Sequence, residues 1–488
     1  MPDPLETSSA PTNSLRRIAI DPLTRVEGHG KVTLLLDADG RVRQARLHIV
    51  EFRGFERFIE GRPYWEIPVM VQRLCGICPV SHHLAASKAL DAVVGATTLT
   101  PSAGKLRRLM HYGQILQSHA LHFFHLSSPD LLFGFESDVD RRNIVGIAER
   151  YPDIARQGIA LRKFGQEVIR MTSGKRVHGT GSIPGGVNRS LAGSDRRALA
   201  ADIDQVVAWS RAAVDIVRAL HESNAALYAR FGRVAAASMS LVAADGSLDL
   251  YDGALRGRDA DGQLLFDQFD PRHYDQLITE AVKPWSYMKF PHWSARGADD
   301  GWYRVGPLAR VQNCDRMPTP LAEAARQDLL AFGGGAPLHG SLTYHWARMI
   351  ELLGAAETIA TLLADDDLEG RELVASGPRQ REGVGVIEAP RGTLIHHYQV
   401  GDDDLVGMAN LIVATTHNNE VMNRAVRDVA RSYFDGREIS EGLLNQIEVA
   451  IRAYDPCLSC ATHALGRMPL QVVALDADGV EVARRVRD

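Results

Sequence analysis

Two Cys-x-x-Cys pairs stand near opposite ends of this sequence and carry its clearest chemical signal. The four residues are Cys75, Cys78, Cys457 and Cys460. Two thiolates three positions apart can hold one metal from a single turn of chain, and thiolates suit zinc, iron–sulfur clusters and nickel. A histidine follows each pair, His82 and His463. These histidines indicate further polar groups or a second metal beside the cysteines.

The distance between the pairs bears on the kind of metal site. Zinc ribbons close over about 15–20 residues, whereas Cys75 and Cys457 lie 382 positions apart. The spacing therefore favours a functional metal site that joins the two ends of one domain. A structural zinc site with four cysteine ligands, in a scaffold protein, is the alternative. The fifth cysteine, Cys314, stands alone and is predicted to be a small buried hydrophobe.

The composition predicts a soluble, cytoplasmic protein with a large core. The 488 residues carry a net charge of −5 and no long basic run, so nothing favours nucleic acid as a partner. No apolar stretch reaches the roughly 18 residues that a membrane span needs. Residues 1–14 lack a signal-peptide pattern and are predicted to be a disordered leader.

The elements that must position the cysteines are mainly helices. Apolar residues at helical spacing predict four long helices, over residues 100–126, 194–231, 338–366 and 417–434. Ser102 is the predicted N-cap of the first. The turn tetrapeptide Asp-Ala-Asp-Gly, flanked by strand-like sequence, occurs at 37–40, 259–262 and 476–479. The predicted fold class is α+β, mainly α, with a central bundle of long helices and peripheral β-hairpins.

Six short motifs occur in order along the chain. They are R-V-E-G-H at 25–29, F-R-G-F-E at 52–56, R-x-C-G-x-C-x-x-x-H at 73–82, P-G-G at 184–186, A-P-R-G at 389–392 and D-P-C-x-x-C-x-x-H at 455–463. Either cysteine motif alone is moderately specific, but both together with the other four are very specific. With these motifs the chain resembles the large subunit of nickel–iron hydrogenases over residues 15–463. The resemblance implies that fold and the reversible heterolytic cleavage of H2 to protons and electrons.

The resemblance implies two metal sites. Nickel would be held by the four paired cysteines, Cys75, Cys78, Cys457 and Cys460. Cys78 and Cys460 would also bridge to an iron that carries cyanide and carbon monoxide, which maturation proteins supply. A magnesium ion would be held by Glu56, the carbonyl of Leu411 and His463, a ligand set that suits a hard cation.

The resemblance also assigns side chains around the iron. Arg391 would donate hydrogen bonds to the cyanides, because anionic ligands in a dry pocket need charged donors. Its alternative role is that of a turn arginine that binds carbonyls after Pro390. Thr415 would offer a hydroxyl on the side of the pocket that faces the iron. Ala414 stands where many relatives have proline, a departure that is expected in the cytoplasmic, NAD-linked branch.

Three residues would move the proton that H2 cleavage releases. Cys457, as a terminal nickel thiolate, is the expected first acceptor, and Arg391 is another candidate base. Glu27 would then carry the proton away, since burial can tune a carboxyl for proton transfer. On local sequence alone, Glu27 is instead a loop carboxylate that pairs with Arg25.

One predicted helix carries a row of histidines. They are His111, His119, His122 and His125. A further metal site is conceivable there, but hydrogen-bonded helix-face histidines are the favoured interpretation.

Electrons released at the site have no conduit in this sequence. No Cys-x-x-Cys set remains for an Fe–S cluster, and no G-x-G-x-x-G opens a strand–helix unit. The resemblance therefore implies a small subunit with Fe–S clusters. Residues 50–58 and 81–85 look most like the bidirectional, NAD-reducing branch, whose flavin-containing (FMN) diaphorase subunits pass electrons to NAD.

The chain continues past His463 for residues 464–488. In the family that it resembles, a specific endopeptidase removes such an extension after the histidine of the second motif. The alternating pattern of 464–488 predicts a hairpin that holds the motif open while metal is loaded. A permanent edge hairpin is the alternative.

Three other functions compete with a catalytic hydrogenase subunit. They are the zinc scaffold, a nickel–iron H2-sensing regulatory subunit, and the related quinone-binding subunit of respiratory NADH dehydrogenase. The four cysteines count against the quinone-binding subunit, and a cleavable tail counts against the sensor.

Overall fold

The computed structural model describes residues 16–21, 23–37, 39–49, 54–283, 285–434, 440–458, 470–475 and 481–487. Only the backbone is described for residues 470–475 and 481–487. The predicted leader, Cys460 and His463 lie outside the described residues.

Helices make up most of the described chain. They are α1 Phe55–Ile59, α2 Ile67–Met70, α3 Pro79–Val93, α4 Pro101–Leu121, α5 Ser128–Phe133, α6 Ile144–Arg150, α7 Pro152–Ser173, α8 Gly193–Ser223, α9 Ala225–Arg230, α10 Tyr274–Leu277, α11 Gly297–Asp300, α12 Pro307–Asn313, α13 Pro320–Phe332, α14 Thr343–Leu363, α15 Ala414–His417, α16 Asn419–Tyr433 and α17 Glu441–Ala453. A π-helical turn, His122–Ser127, extends α4.

The strands are short and lie in several small sheets. They are β1 Arg16–Asp21, β2 Gly30–Leu36, β3 Val42–Ile49, β4 Ser182–Ile183, β5 Gly186–Val187, β6 Ala237–Val242, β7 Ala254–Arg258, β8 Leu264–Phe269, β9 Ile278–Ala281, β10 Phe290–Trp293, β11 Tyr303–Arg304, β12 Glu382–Ala389, β13 Gly392–Val400, β14 Val406–Ile412, β15 Leu470–Leu475 and β16 Glu481–Arg487. The larger sheets have the orders β16-β15-β1-β2-β3, β11-β6-β7-β8 and β12-β13-β14.

The long helices α4, α7, α8 and α14 form a bundle, in which α4 packs against α7 and α14, and α14 packs against α8. Residues 343–356 of α14 are all buried, including the charged residues Arg348 and Glu351. The predicted mainly α fold with a central helix bundle and peripheral hairpins is confirmed. No helix in the described part of the chain combines the length and the apolar character that crossing a bilayer requires.

The sequence signals for turns were more accurate than those for helix ends. The D-A-D-G turn at 259–262 joins β7 to β8, and the one at 37–40 joins β2 to β3. The N-cap of α4 is Thr100, whose Oγ1 accepts a hydrogen bond from Ala103 N at 3.2 Å. The prediction of Ser102 was wrong because Pro101, which lacks an N–H, takes the first helical position.

Helix α3 carries the first cysteine motif at its start and lies against β12 and β13. Gly385 of β12 makes this approach possible, since a Cβ there would lie 2.2 Å from the carbonyl oxygen of Ala85. The three-stranded sheet therefore supports α3 directly. Its last strand, β14, leads into α15, which carries Ala414 and Thr415.

The described residues of the C-terminal segment, 470–475 and 481–487, form the two paired strands of the predicted hairpin. Strand β15 pairs antiparallel with β16, and on its other side it pairs with β1 from Arg17 opposite Leu475 to Asp21 opposite Gln471. The hairpin is thus an addition to the edge of the N-terminal sheet.

Candidate metal centre

The first cysteine motif forms a tight loop between a 3-10 turn and α3. Cys75 follows the turn Val71–Leu74, and Cys78 immediately precedes α3. The backbone N–H of Cys78 donates to Cys75 Sγ at 3.1 Å, and the two sulfur atoms are 2.8 Å apart. Both side chains are buried. The loop therefore presents two thiols to one point.

Cys457 brings the second motif to the same point. Its Sγ lies 2.9 Å from Cys75 Sγ. Two backbone contacts hold it there: Cys457 N donates to Thr415 Oγ1 at 3.0 Å, and Leu458 N donates to the Glu27 carbonyl at 2.8 Å. The structure thus brings together Cys75, Cys78 and Cys457, whose ligand atoms all lie within 4.8 Å of one another.

The three thiols suit a soft metal cation. Hydrogen bonds to Cys75 and Cys78, together with burial, raise the pKa of Cys457 well above that of an ordinary thiol. The pKa of Cys78 is also well above its usual value: its hydrogen bond to Cys457 lowers it, but the hydrogen bond to Cys75 and burial outweigh that. Crowded, buried thiols ionise together only when a cation compensates their charge. Soft thiolates favour nickel or zinc over magnesium or calcium.

A buried ion pair lies beside the thiols. Arg391 Nε donates to the Asp455 carbonyl at 2.5 Å, and its Nη2 donates to Asp455 Oδ1 at 2.9 Å. Burial alone would lower the pKa of Arg391, but Asp455 and the nearby thiols raise it well above its ordinary value. Arg391 is therefore a fixed positive charge that faces the cysteines. Arg391 lies in the turn between β12 and β13 and binds a carbonyl, as the sequence-based alternative predicted, and it also pairs with Asp455 beside the thiols.

Glu27 lies next to Cys457. The two residues form an isolated parallel β-bridge, and the carboxyl of Glu27 contributes to the raised pKa of the Cys457 thiol. The residue is 6% exposed. The structure thus places the predicted proton acceptor and the predicted proton carrier side by side.

A charged network clamps the loop that carries Glu27. Asp130 accepts from Arg25 Nη2 at 2.6 Å and from Arg452 Nη1, and Arg142 Nε lies 3.5 Å away. Burial alone would raise the pKa of Asp130, but these arginines lower it. Glu448 accepts from the N–H and the hydroxyl of Thr24 at 2.8 and 2.7 Å.

Two residues of the segments that this network joins have an unusual backbone conformation. Arg25 and Asp455 have φ of 52° and 53°, a left-handed conformation that non-glycine residues rarely adopt. Arg452 Nε also donates to the Arg25 carbonyl at 3.3 Å. The ion pairs therefore join the loop before Glu27 to the helix that precedes Cys457 and fix their relative position.

A cavity of about 540 Å3 opens beside the thiols. Cys75 and Cys457 line it, and so do Glu56 and Leu411, two of the predicted magnesium ligands. His82 also lines it, and its Nδ1 is 3.1 Å from His396 Nε2. Whether Glu56 and Leu411 bind a metal remains a prediction. Ala414 and Thr415 are buried on the neighbouring α15, with Thr415 bonded to the backbone of Cys457.

The histidines of α4 and its π-helical turn are structural. His111 Nε2 contacts the Leu250 carbonyl at 3.0 Å, His119 Nε2 contacts Glu351 Oε2 at 3.0 Å, and His122 Nε2 contacts the Arg452 carbonyl at 2.7 Å. Burial lowers the pKa of His119 to about 4 and that of His111 to about 3. These contacts confirm the interpretation of hydrogen-bonded helix-face histidines for His111, His119 and His122. Cys314 is buried in the core, as predicted.

The sequence patterns did not identify several residues that build the site. Asp455 stands in the second cysteine motif, so its position could have suggested a partner for Arg391. Ser118, whose Oγ is 3.5 Å from Arg391 Nη1, and Asp130 belong to no motif and gave no local signal. Only the folded arrangement shows their roles.

Comparison with known proteins agrees with this geometry. The nickel-dependent hydrogenase family matches residues 53–136 and 251–463, and a family described as HoxL-like matches residues 17–52. The chain therefore belongs to the nickel-dependent hydrogenases and is a large, catalytic subunit. The competing scaffold and sensor functions are not favoured.

Individual relatives cover almost the whole chain. The NAD-reducing hydrogenase HoxS subunit beta of Cupriavidus necator is 47% identical over 97% of this chain and 100% of its own length. One subunit of the F420-non-reducing hydrogenase of Methanothermobacter thermautotrophicus is 42% identical over 96% of this chain and 99% of its own. A crystal structure of an NAD+-reducing [NiFe]-hydrogenase in the H2-reduced state is 62% identical, with a TM-score of 0.90, and covers 92% of this chain and 100% of its own.

Proposed function

We propose that Cys75, Cys78, Cys457 and Cys460 hold nickel, and that Cys78 and Cys460 share an iron carrying cyanide and carbon monoxide. Support comes from the convergence of the first three sulfurs at one point beside Arg391, where Cys75 and Cys78 are buried and Cys457 is partly buried. A fixed guanidinium suits anionic diatomic ligands. Thr415 adds a hydroxyl, and Ala414 an apolar surface, on the side of the site that faces the iron. Maturation proteins supply the diatomic ligands.

We propose that the protein moves the proton of H2 cleavage along its own side chains. The bound metal group supplies the Lewis acid that polarises H2. Cys457 Sγ accepts the proton, and the Glu27 carboxylate takes it from the sulfur. Arg391, held by Asp455, keeps its charge beside the thiolates and stabilises the ionised state. The backbone β-bridge between Glu27 and Cys457, together with the effect of the Glu27 carboxyl on the pKa of the Cys457 thiol, supports this order.

We propose that magnesium binds at Glu56, the Leu411 carbonyl and His463. Glu56 and Leu411 share the cavity wall with Cys75 and Cys457. A carboxylate, a carbonyl and an imidazole, completed by water, suit a hard cation. The ion would tie the C-terminal motif to β14.

We propose that a small subunit with Fe–S clusters removes the electrons, and that a flavin-containing diaphorase passes them to NAD in the cytoplasm. Support comes from the 62% identical structure, which is described as that of an NAD+-reducing enzyme. The relative from Cupriavidus necator bears a matching name. The reaction would then be reversible oxidation of H2 coupled to NAD.

Replacing the Glu27 carboxyl tests the proton route. We expect Glu27→Gln to lower H2-dependent dye reduction by about 100-fold, the range typical of a lost proton-transfer group. Nickel content, measured by elemental analysis, should stay unchanged because the amide has the same shape. Glu27→Asp is the matched control and should retain most of the activity. A Gln variant as active as the wild type would remove Glu27 from the route.

We propose further that residues 464–488 are a maturation extension, which an endopeptidase removes after His463. Pairing of β15 with β1 anchors the extension on the N-terminal sheet. The family match ends at residue 463.

The mass of the active protein tests this processing. We expect the large subunit of the purified, H2-oxidising complex to lack residues 464–488 by intact mass spectrometry. The same chain produced without nickel should keep them. A full-length chain in the active complex would contradict the proposal and leave the hairpin as a permanent edge of the sheet.

A further inference from the structure

Three buried polar side chains lead from the cavity beside the thiols into the core. His82 lines that cavity and is 2% exposed. Its Nδ1 lies 3.1 Å from His396 Nε2, and His396 Nδ1 lies 2.6 Å from Tyr398 Oη. His396 and Tyr398 are completely buried and do not line the cavity. The three rings therefore form one hydrogen-bonded chain, with His82 at its cavity end.

The packing of α3 on β13 fixes the positions of these rings. His396 and Tyr398 are two residues apart on β13, so their side chains lie on the same face of the sheet. Tyr398 packs in one hydrophobic cluster with Ala86 and Ala89 of α3. On α3, His82 lies four positions after Cys78, about one helical turn. The same packing therefore holds the chain of rings and the first cysteine motif.

The tyrosine gives this chain of hydrogen bonds a direction. Among the described residues, Tyr398 Oη forms its hydrogen bond with His396 Nδ1. Burial, with a smaller effect of Glu56, raises the pKa of Tyr398 well above that of an ordinary tyrosine, so the phenol keeps its proton. A buried O–H without an acceptor is unfavourable. Tyr398 therefore donates to His396 Nδ1.

This direction determines the tautomers of both histidines. A neutral imidazole that accepts at one nitrogen carries its proton on the other. His396 therefore has its proton on Nε2 and donates to His82 Nδ1. His82, which accepts at Nδ1, has its proton on Nε2. The reverse order would leave the hydroxyl proton of Tyr398 without an acceptor in the described part of the chain.

We propose that Tyr398 and His396 are positioning residues that hold His82 in the Nε2-protonated tautomer, in which it donates a hydrogen bond to a thiolate sulfur of the metal centre. The inference rests on the four-cysteine centre proposed above. His82 lines the same cavity as Cys75 and Cys457. A hydrogen bond to an ionised acceptor is stronger than one between neutral groups, whereas the other tautomer would present a lone pair to the thiolates.

Such a hydrogen bond would change the electronic state of the centre. Hydrogen bonds to ligand sulfurs tune the metals that those sulfurs bind. A donor withdraws electron density from the sulfur, and hence from the metal. Loss of the donor should make the iron more electron-rich and should lower the stretching frequency of its carbon monoxide. The infrared spectrum therefore reports on the tautomer independently of activity.

Tyr398→Phe in the purified complex tests the inference. We expect its carbon monoxide band at a lower frequency than that of the wild type, with nickel content unchanged. The matched control is Tyr274→Phe. Tyr274 Oη lies 3.0 Å from His397 Nδ1, but neither residue lines the cavity beside the thiols, so the band should stay at the wild-type position.

Two outcomes separate this inference from the proposed centre. A Tyr398→Phe complex with the band at the wild-type frequency would overturn the role of Tyr398 and leave the centre intact. A wild-type complex without diatomic bands would overturn the centre itself, and the donation to a metal-bound thiolate with it.

Neutron crystallography of the wild-type complex in D2O covers the case in which Tyr398→Phe does not fold. It locates the protons directly and does not depend on the diatomic ligands. We expect deuterium on Tyr398 Oη, on His396 Nε2 and on His82 Nε2. Deuterium on His82 Nδ1 would overturn the inference.

Discussion

Cys75→Ser is expected to abolish H2 oxidation and to leave the protein without nickel. Cys75 Sγ contacts both Cys78 Sγ and Cys457 Sγ, at 2.8 and 2.9 Å, so it is the centre of the sulfur cluster. A hydroxyl is a hard ligand that does not replace a thiolate on a soft metal. We expect nickel per chain to fall at least about tenfold, the loss typical when a metal site is disrupted. Elemental analysis and H2-dependent dye reduction measure the two effects.

Cys314→Ala is the matched control for this experiment. Cys314 is equally buried, but its Sγ contacts only the Val311 carbonyl, at 3.8 Å, among hydrogen-bond partners in the described chain. Removing it should leave nickel content and activity close to those of the wild type. Equal loss of nickel in both variants would point to a general folding defect and would contradict the assignment of Cys75 as a ligand.

Asp130→Ala is expected to cause the largest loss of stability. The substitution leaves Arg25, Arg142 and Arg452 close together in a buried position without their shared carboxylate. Breaking a buried ion network in this way costs about 3–5 kcal/mol. We expect a thermal unfolding midpoint several degrees lower, and reduced nickel content, because the loops that carry Glu27 and Cys457 lose their common anchor.

Asp366→Ala provides the comparison for a surface charge. Asp366 pairs with Arg196 at 2.9 Å, but its side chain is 97% exposed. Exposed ion pairs contribute about 0–1 kcal/mol, so this variant should unfold near the wild-type temperature. An Asp130→Ala protein as stable and as nickel-rich as Asp366→Ala would show that the network does not position the site.

The sequence predicted those parts of the structure that depend on local pattern. The D-A-D-G tetrapeptides at 37–40 and 259–262 predicted the β2–β3 and β7–β8 hairpins, because Gly40 and Gly262 take the positive φ that such turns need. The apolar spacing predicted α4, α8, α14 and α16, but it missed the 22-residue α7. It also missed the break at Asn224 between α8 and α9, because that segment contains no Gly or Pro that would indicate a helix end.

The candidate site was predictable only in part. The cysteine motifs identified the ligands, and Glu27 and Arg391 were named from the motifs in which they stand. The groups that hold them were not predictable, because their contacts join distant parts of the chain. Asp130 and Arg452 are 322 positions apart, and no local pattern pairs them.

The infrared spectrum of the complex, purified from a host that carries the maturation proteins, tests the central claim most directly. Metal-bound cyanide and carbon monoxide absorb where protein is nearly transparent. We predict such bands in the wild-type protein, together with nickel, and their absence in Cys75→Ser. A wild-type complex without these bands, and with zinc in place of nickel, would contradict the proposed centre and every residue role that depends on it.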